Sequence, residues 1–179
     1  MLHATVGRYS IALASSPELV SYVERTRAVV KESLVCDDDA RNYLAVGVSD
    51  SGPGPELLVE GWYSPGPSSG FFPSVLIAPD AGVVFIGAGS TVLCFSLAPI
   101  AKLAHEQVEA GFWQWHLHGQ FVLMSAELEF AVWSTSGKKL WSRFVEPPWH
   151  FITREELVTL EVMGDQQVFN LRSGEPHVA

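Results

Sequence analysis

Three segments of this chain repeat at a nearly constant spacing, and that spacing restricts the fold more than any other feature. Val84, Val122 and Val158 lie 38 and 36 residues apart. Eleven residues beyond each valine stands an aromatic residue: Phe95, Trp133 and Phe169. Trp113 and Trp149 are also 36 residues apart. A period of this size marks a stacked or radial supersecondary unit, because one small sheet cannot bury its apolar face alone. The units span residues 72–97, 112–148 and 149–176.

Within the central unit the period is two, as in β-strands. The alternation puts Trp113, Trp115 and Leu117 on one face and Gln114, His116 and His118 on the other. Residues 121–125 form an apolar run, which fits a strand covered on both faces. Residues 128–134 and 139–145 complete an antiparallel meander, with Gly119 and Gly137 at turns. Residues 98–109 read by composition as a helical turn or two and by position as the fourth strand of the first unit; the strand is the favoured reading, since Lys102-Leu103 takes the place of Lys139-Leu140-Trp141.

The run Ala131-Val132-Trp133-Ser134-Thr135-Ser136-Gly137-Lys138-Lys139-Leu140-Trp141 resembles the blade signature of quinoprotein-type β-propellers. That signature reads Ala-Leu-Asp, two residues, Thr-Gly, three residues, Trp. The glycine and the closing tryptophan match in spacing. Trp133 stands in place of the aspartate, and Ser136 in place of the threonine. The third unit keeps Val168 to Gly174 and lacks the tryptophan; the first lacks the glycine. The resemblance covers about 105 residues. It implies blade architecture and does not imply quinone binding, since most similar blades bind no cofactor. Three units are fewer than the roughly four or more that close a propeller; an N-terminal strand could supply the third unit's missing strand and residues 43–63 part of another unit, and otherwise the repeats form an open, curved stack.

Residues 1–70 read as a strand–helix–strand part of the same single domain, 1–179. Residues 6–14 suggest a strand. Ser16, Pro17 and Glu18 suggest a helix start, with Ser16 as N-cap. Leu19, Tyr22, Val23, Thr26, Val29, Val30 and Ser33 recur at helical spacing, so one substantial helix is expected to about Leu34. Residues 43–49 and 56–63 read as strands, and 64–70 as a surface loop. The expected fold is therefore mainly β with one substantial helix, its propeller-like antiparallel repeats not fully closed. The helix, an N-terminal strand or a second copy of the chain would cover exposed sheet edges.

Charge and composition narrow the function. The formal charge is −9 and the hydrophobic content 47%. A chain so acidic is poorly suited to neutralise phosphates, so no nucleic-acid partner is expected. No apolar run approaches the length of a membrane helix, and no basic-then-apolar leader opens the chain; a cytoplasmic location is the resulting expectation. Two cysteines, Cys36 and Cys94, make no disulfide framework. Asp37, Asp38 and Asp39 lack the spacing and closing glutamate of a calcium loop. Gly87 to Ser90 sits between strands, unlike a phosphate loop that opens a helix.

His116 and His118 are the most chemical-looking pair, spaced to point the same way from a strand. With His150, which aligns with Gln114, they could approach the ligand set of zinc; His105 is a further candidate. The residues favoured for a partner or ligand surface are Trp113, Trp115, Trp141, Trp149 and Glu146, since exposed tryptophans anchor interfaces. No nucleophile elbow, Walker or dinucleotide pattern occurs. The sequence reads as a non-enzymatic protein that binds a protein partner on a β-repeat scaffold, without cofactor, with homodimerisation as one way to cover an edge. The alternative is a metal-dependent enzyme or small-molecule binder using His116 and His118.

Overall fold

The computed structural model describes residues 1–34, 40–50, 52 and 54–177. Cys36 and the three aspartates after it lie outside the described residues. Among the described residues, sixteen strands form four sheets. The first contains β1 (Leu2–Val6), β2 (Tyr9–Ala14), β3 (Val30–Ser33), β4 (Asn42–Asp50) and β5 (Leu57–Tyr63), in the order β1-β2-β4-β5-β3. The second is a meander of β6 (Ser74–Ala78), β7 (Val83–Ala88), β8 (Thr91–Leu97) and β9 (Ile100–Gln107). The third repeats it with β10 (Phe112–His118), β11 (Phe121–Ala126), β12 (Glu129–Ser134) and β13 (Lys139–Phe144). The fourth has only β14 (Trp149–Arg154), β15 (Leu157–Val162) and β16 (Asp165–Asn170). No helix among the described residues is long and apolar enough to cross a membrane.

The sheets stack face to face in chain order. Tyr9, Val46, Val59, Val84, Ile86 and Phe95 fill the space between the first and second. Phe85, Cys94, Phe112, Trp115, Val122 and Trp133 fill the next. Leu123, Phe130, Val132, Val158, Leu160 and Phe169 fill the last. Each such side chain, fully removed from water, contributes about 1.5–3 kcal/mol. Every residue of β7 and of β11 is buried, because both faces are covered. In β15 and β16 buried positions fall on one face only. Among the described residues no core cluster joins the fourth sheet to the first, and the arc of sheets stays open.

The N-terminal part differs from its sequence reading. Residues 2–14 form a hairpin, β1–β2, instead of one strand. The expected long helix is a 3-10 turn at Pro17–Leu19 followed by α1 (Tyr22–Arg27). Ser16 does stand before the 3-10 turn, but Ser21 caps α1. Its hydroxyl accepts from the Glu24 amide at 3.2 Å, and its amide donates to the Glu24 carboxylate at 2.7 Å. The chain leaves the helix at Ala28 because the open edge of β5 offers a ladder. The Val29 and Val30 amides both donate to the Glu56 carbonyl, and β3 runs parallel to β5. β-branched valines suit that strand better than a helix.

The segment between β2 and β3 covers a face of the first sheet, not an edge. Val20 and Ala28 pack over Ala14, Tyr43, Ala45 and Leu58. Arg25 fastens it. Its guanidinium grips Glu60 through Nε and Nη2 at 3.1–3.2 Å and donates to the Val20 and Pro17 carbonyls. The Tyr43 hydroxyl adds a 2.5 Å bond to the same carboxylate. Burial pushes the Glu60 carboxyl up, but the Arg25 and Tyr43 hydrogen bonds outweigh it, and its pKa lies below the ordinary value. Burial and the Glu60 bond push the Tyr43 hydroxyl up to about 12.

The repeats are locked by one recurring contact. The outer strand of one sheet lays a side chain on the turn glycine of the next. A Cβ on Gly137 would meet Leu103 Cδ1 at 2.6 Å, and one on Gly174 would meet the Trp141 ring at 2.7 Å. Both glycines have left-handed φ, +86° and +70°, which glycine adopts without strain. Trp141 also donates from Nε1 to the Leu171 carbonyl at 2.8 Å. The same outer strands carry the ion pairs Lys102–Glu32 and Lys139–Glu106, which join neighbouring sheets.

Two measurements check this account. Trp141→Ala should lower stability in urea unfolding by about 2–3 kcal/mol, below the range for a fully enclosed tryptophan because its outer edge meets solvent. Gly174→Ala should also destabilise, through both strain and the clash. For Glu60, whose folded pKa is depressed, stability is present above the unfolded value of about 4.3 and is lost as pH falls through the lower folded value. Glu60→Gln should therefore flatten the acid limb of the stability profile.

Candidate functional site

The site is built on the first strands of the third and fourth sheets. β10 begins with a bulge: Phe112 pairs with Ala126 and Gln114 with Ser125, which leaves Trp113 as the extra residue. The expected common face of Trp113, Trp115 and Leu117 does not exist for that reason. Trp115 turns with Phe112 into the core between the second and third sheets. Trp113 turns to the opposite side, toward the fourth sheet. There it stacks on Trp149, with ring centroids 5.4 Å apart and planes 20° from parallel.

Trp149 is held firmly. It is buried, its Nε1 donates to the Glu127 carbonyl at 3.0 Å, and its ring meets Phe130 edge-on. Phe151, two residues along β14, faces the same way and stands beside it at 6.5 Å. These rings with Gln114, His116, Ser125 and Thr153 line a cleft of about 390 Å³ between the two sheets. Other concavities lie near Phe144 and Met163, bordered also by Arg143, Asp165 and Gln167, and near Met1 and Leu2, bordered also by Ser15, Tyr43 and Tyr63. The cleft on β10 and β14 differs in having two tryptophans and a phenylalanine beside its hydrogen-bonding groups.

His116 forms the back of the cleft. Its ring lies edge-on to Phe151 at 5.1 Å. Nε2 is buried without a hydrogen-bond partner. Burial disfavours the charged imidazolium and lowers its pKa below the ordinary value. His118 leaves this group. Its Nε2 is 2.7 Å from the Glu155 carbonyl, and its Nδ1 is 3.2 Å from the Thr153 hydroxyl. A carbonyl only accepts, so Nε2 donates, and Nδ1 of the neutral ring accepts from Thr153. His150 borders the cleft, yet strand alternation turns it away from Trp149 and Phe151, and its Nε2 lies 3.7 Å from Glu161.

The structure thus unites Trp113, Trp149 and His116. It puts Trp115 in the neighbouring core and Trp141 on Gly174 at the outer rim. Glu146 is exposed in the connector between the sheets, and His105 is exposed on β9. Among the described residues no three His, Cys, Asp or Glu side chains gather in a way that could hold a metal ion. Cys94 is buried and its thiol is pushed up to about 12, so it behaves as a small core residue. Phe151, Ser125 and Thr153 were not singled out from sequence. The alternation Trp149-x-Phe151-x-Thr153 carried the signal for two of them.

No protein-family model matches the chain, and no curated protein matches it. Solved structures similar to it include BamB from Moraxella catarrhalis, 15% identical, with a TM-score of 0.43 over 80% of this chain and 45% of that one. Another is the Cps50 (Swd1) β-propeller domain of Myceliophteria thermophila, 9% identical, with a TM-score of 0.42 over 76% of this chain and 54% of that one. The computationally designed Ika4 protein is 13% identical, with a TM-score of 0.42 over 65% of this chain and 74% of that one. The chain spans about half the length of the two natural proteins. The propeller-like architecture rests on the sheet order and the inter-sheet cores themselves.

The environment of His116 makes a direct prediction. Its imidazole should titrate by NMR with a midpoint below the ordinary value of about 6.5, and Phe151→Ser, which opens the cleft to water, should move it back up.

Proposed function

We propose that the protein is a non-enzymatic binding protein that engages a protein partner through the aromatic cleft between its third and fourth sheets. The stacked Trp113–Trp149 pair carries this reading. Trp149 is anchored in the core by its indole bond and by Phe130. Trp113 rests on it, half-buried, with part of its surface left to solvent. A rigid aromatic platform of this kind loses little entropy when a partner covers it, and such residues carry much of the binding energy of interfaces. The rest of the cleft offers the Gln114 amide and the Thr153 hydroxyl, groups that orient a ligand. The engagement of both His118 nitrogens and the outward turn of His150 favour recognition by stacking over chemistry at a metal.

Repeated β-units suit this task. The stack holds its strands rigid, and the cleft lies where the first strands of two sheets approach one another. The test is partner capture with matched variants. Trp113→Ser removes the platform, while Trp62→Ser removes a tryptophan 48% exposed on the first sheet. A partner bound by the native chain should be lost with Trp113→Ser and kept with Trp62→Ser, with circular dichroism showing both variants folded. Equal capture by both would place the interface elsewhere.

A further inference from the structure

We infer that the cleft between the third and fourth sheets takes an arginine side chain of the partner; the inference rests on the cleft being the binding surface. Three observations combine. Three aromatic rings line the cleft, Trp113, Trp149 and Phe151, and the half-buried Trp113, stacked on Trp149, leaves part of its surface to solvent. Ring faces are negative, and a planar guanidinium stacks on tryptophan better than a compact ammonium does.

The second observation is the absence of a competing cation in the lining. The residues around the cleft include no lysine or arginine. Their two titratable groups are His116, edge-on to Phe151 with Nε2 buried, and His150, which turns toward Glu161 on the outer face.

The third is acid at the tryptophan end. Trp149 bonds to the Glu127 carbonyl, and the Val145 amide donates to the Leu128 carbonyl at 3.1 Å. Those two contacts bring residue 127 and the connector residue Glu146 to the same end of the third sheet. Neither carboxylate has a cationic partner among the described residues. The contrast with Lys139, which grips both Glu106 and Glu129, is direct. Neither glutamate lines the cleft itself, but a guanidinium on the Trp113 platform would lie at the end of the sheet that carries both, and charge-assisted pairing with a carboxylate is directional. The formal charge of −9 adds long-range attraction for a basic partner.

The experiment uses the whole chain and three blocked pentapeptides, identical except for a central arginine, citrulline or glutamate. Indole N–H signals of Trp113 and Trp149 report binding. The arginine peptide should bind about 3- to 10-fold tighter than its neutral citrulline isostere, and the glutamate peptide should bind weakest. Combining Glu127→Gln with Glu146→Gln, which leaves the rings in place, should abolish the arginine preference. Equal affinity for arginine and citrulline would overturn the inference while leaving the cleft as the binding surface. If none of the peptides moves the indole signals, the arginine inference is overturned, and partner capture with Trp113→Ser decides the broader reading separately.

Discussion

A sheet of three or four short strands has two faces and no interior of its own, so each sheet here is stable only against a neighbour. That requirement organises the molecule. β7 and β11 are apolar throughout because they are covered twice. The two end sheets meet the same requirement differently. The first places a short helix and its flanking turns over its outer face, fastened by Arg25 on Glu60. The fourth alternates, turning residues such as His150 and Glu161 to the outside.

The cleft is a consequence of this stacking. Where core side chains fill the space between sheets, neighbouring units close on one another. Between the first strands of the third and fourth sheets, the bulge at Trp113 turns one more large ring into the interface. The rings pack on each other, and the space beside them is left open. A strand without the bulge would keep Trp113 in register with Trp115, facing the second sheet. One extra residue in one strand therefore separates a continuous core from a core with a cleft.

The repeat itself was legible in the sequence. The valine and aromatic spacings, the turn glycines and the fourth strand at residues 100–107 all appear where the pattern puts them. The Gly-to-Trp spacing of the blade signature has a physical meaning in the structure, with Trp141 resting on the glycine of the next unit. The helix was misread because helical spacing across residues 19–33 ignored an alternative partner. Backbone groups at Val29 and Val30 find carbonyls on β5, and no local pattern announces a parallel pairing across almost thirty residues. The helix starts instead at the capping box of Ser21 and Glu24, a local signal that the reading of Ser16 as N-cap left aside.

The sequence by itself determined the period, the strand alternation, the supply of aromatic residues and the acidic balance, because each is a property of residue order or composition. Only the tertiary structure decided which tryptophans share a surface. Trp113 and Trp115 are separated by one residue yet serve different cores, since a bulge changes side-chain direction without changing composition. His116 and His118 keep the parity the sequence assigned them, but one closes a cleft and the other spends both nitrogens on the fourth sheet. Those partners stand some 35 residues away in the chain, and their approach depends on how two sheets pack.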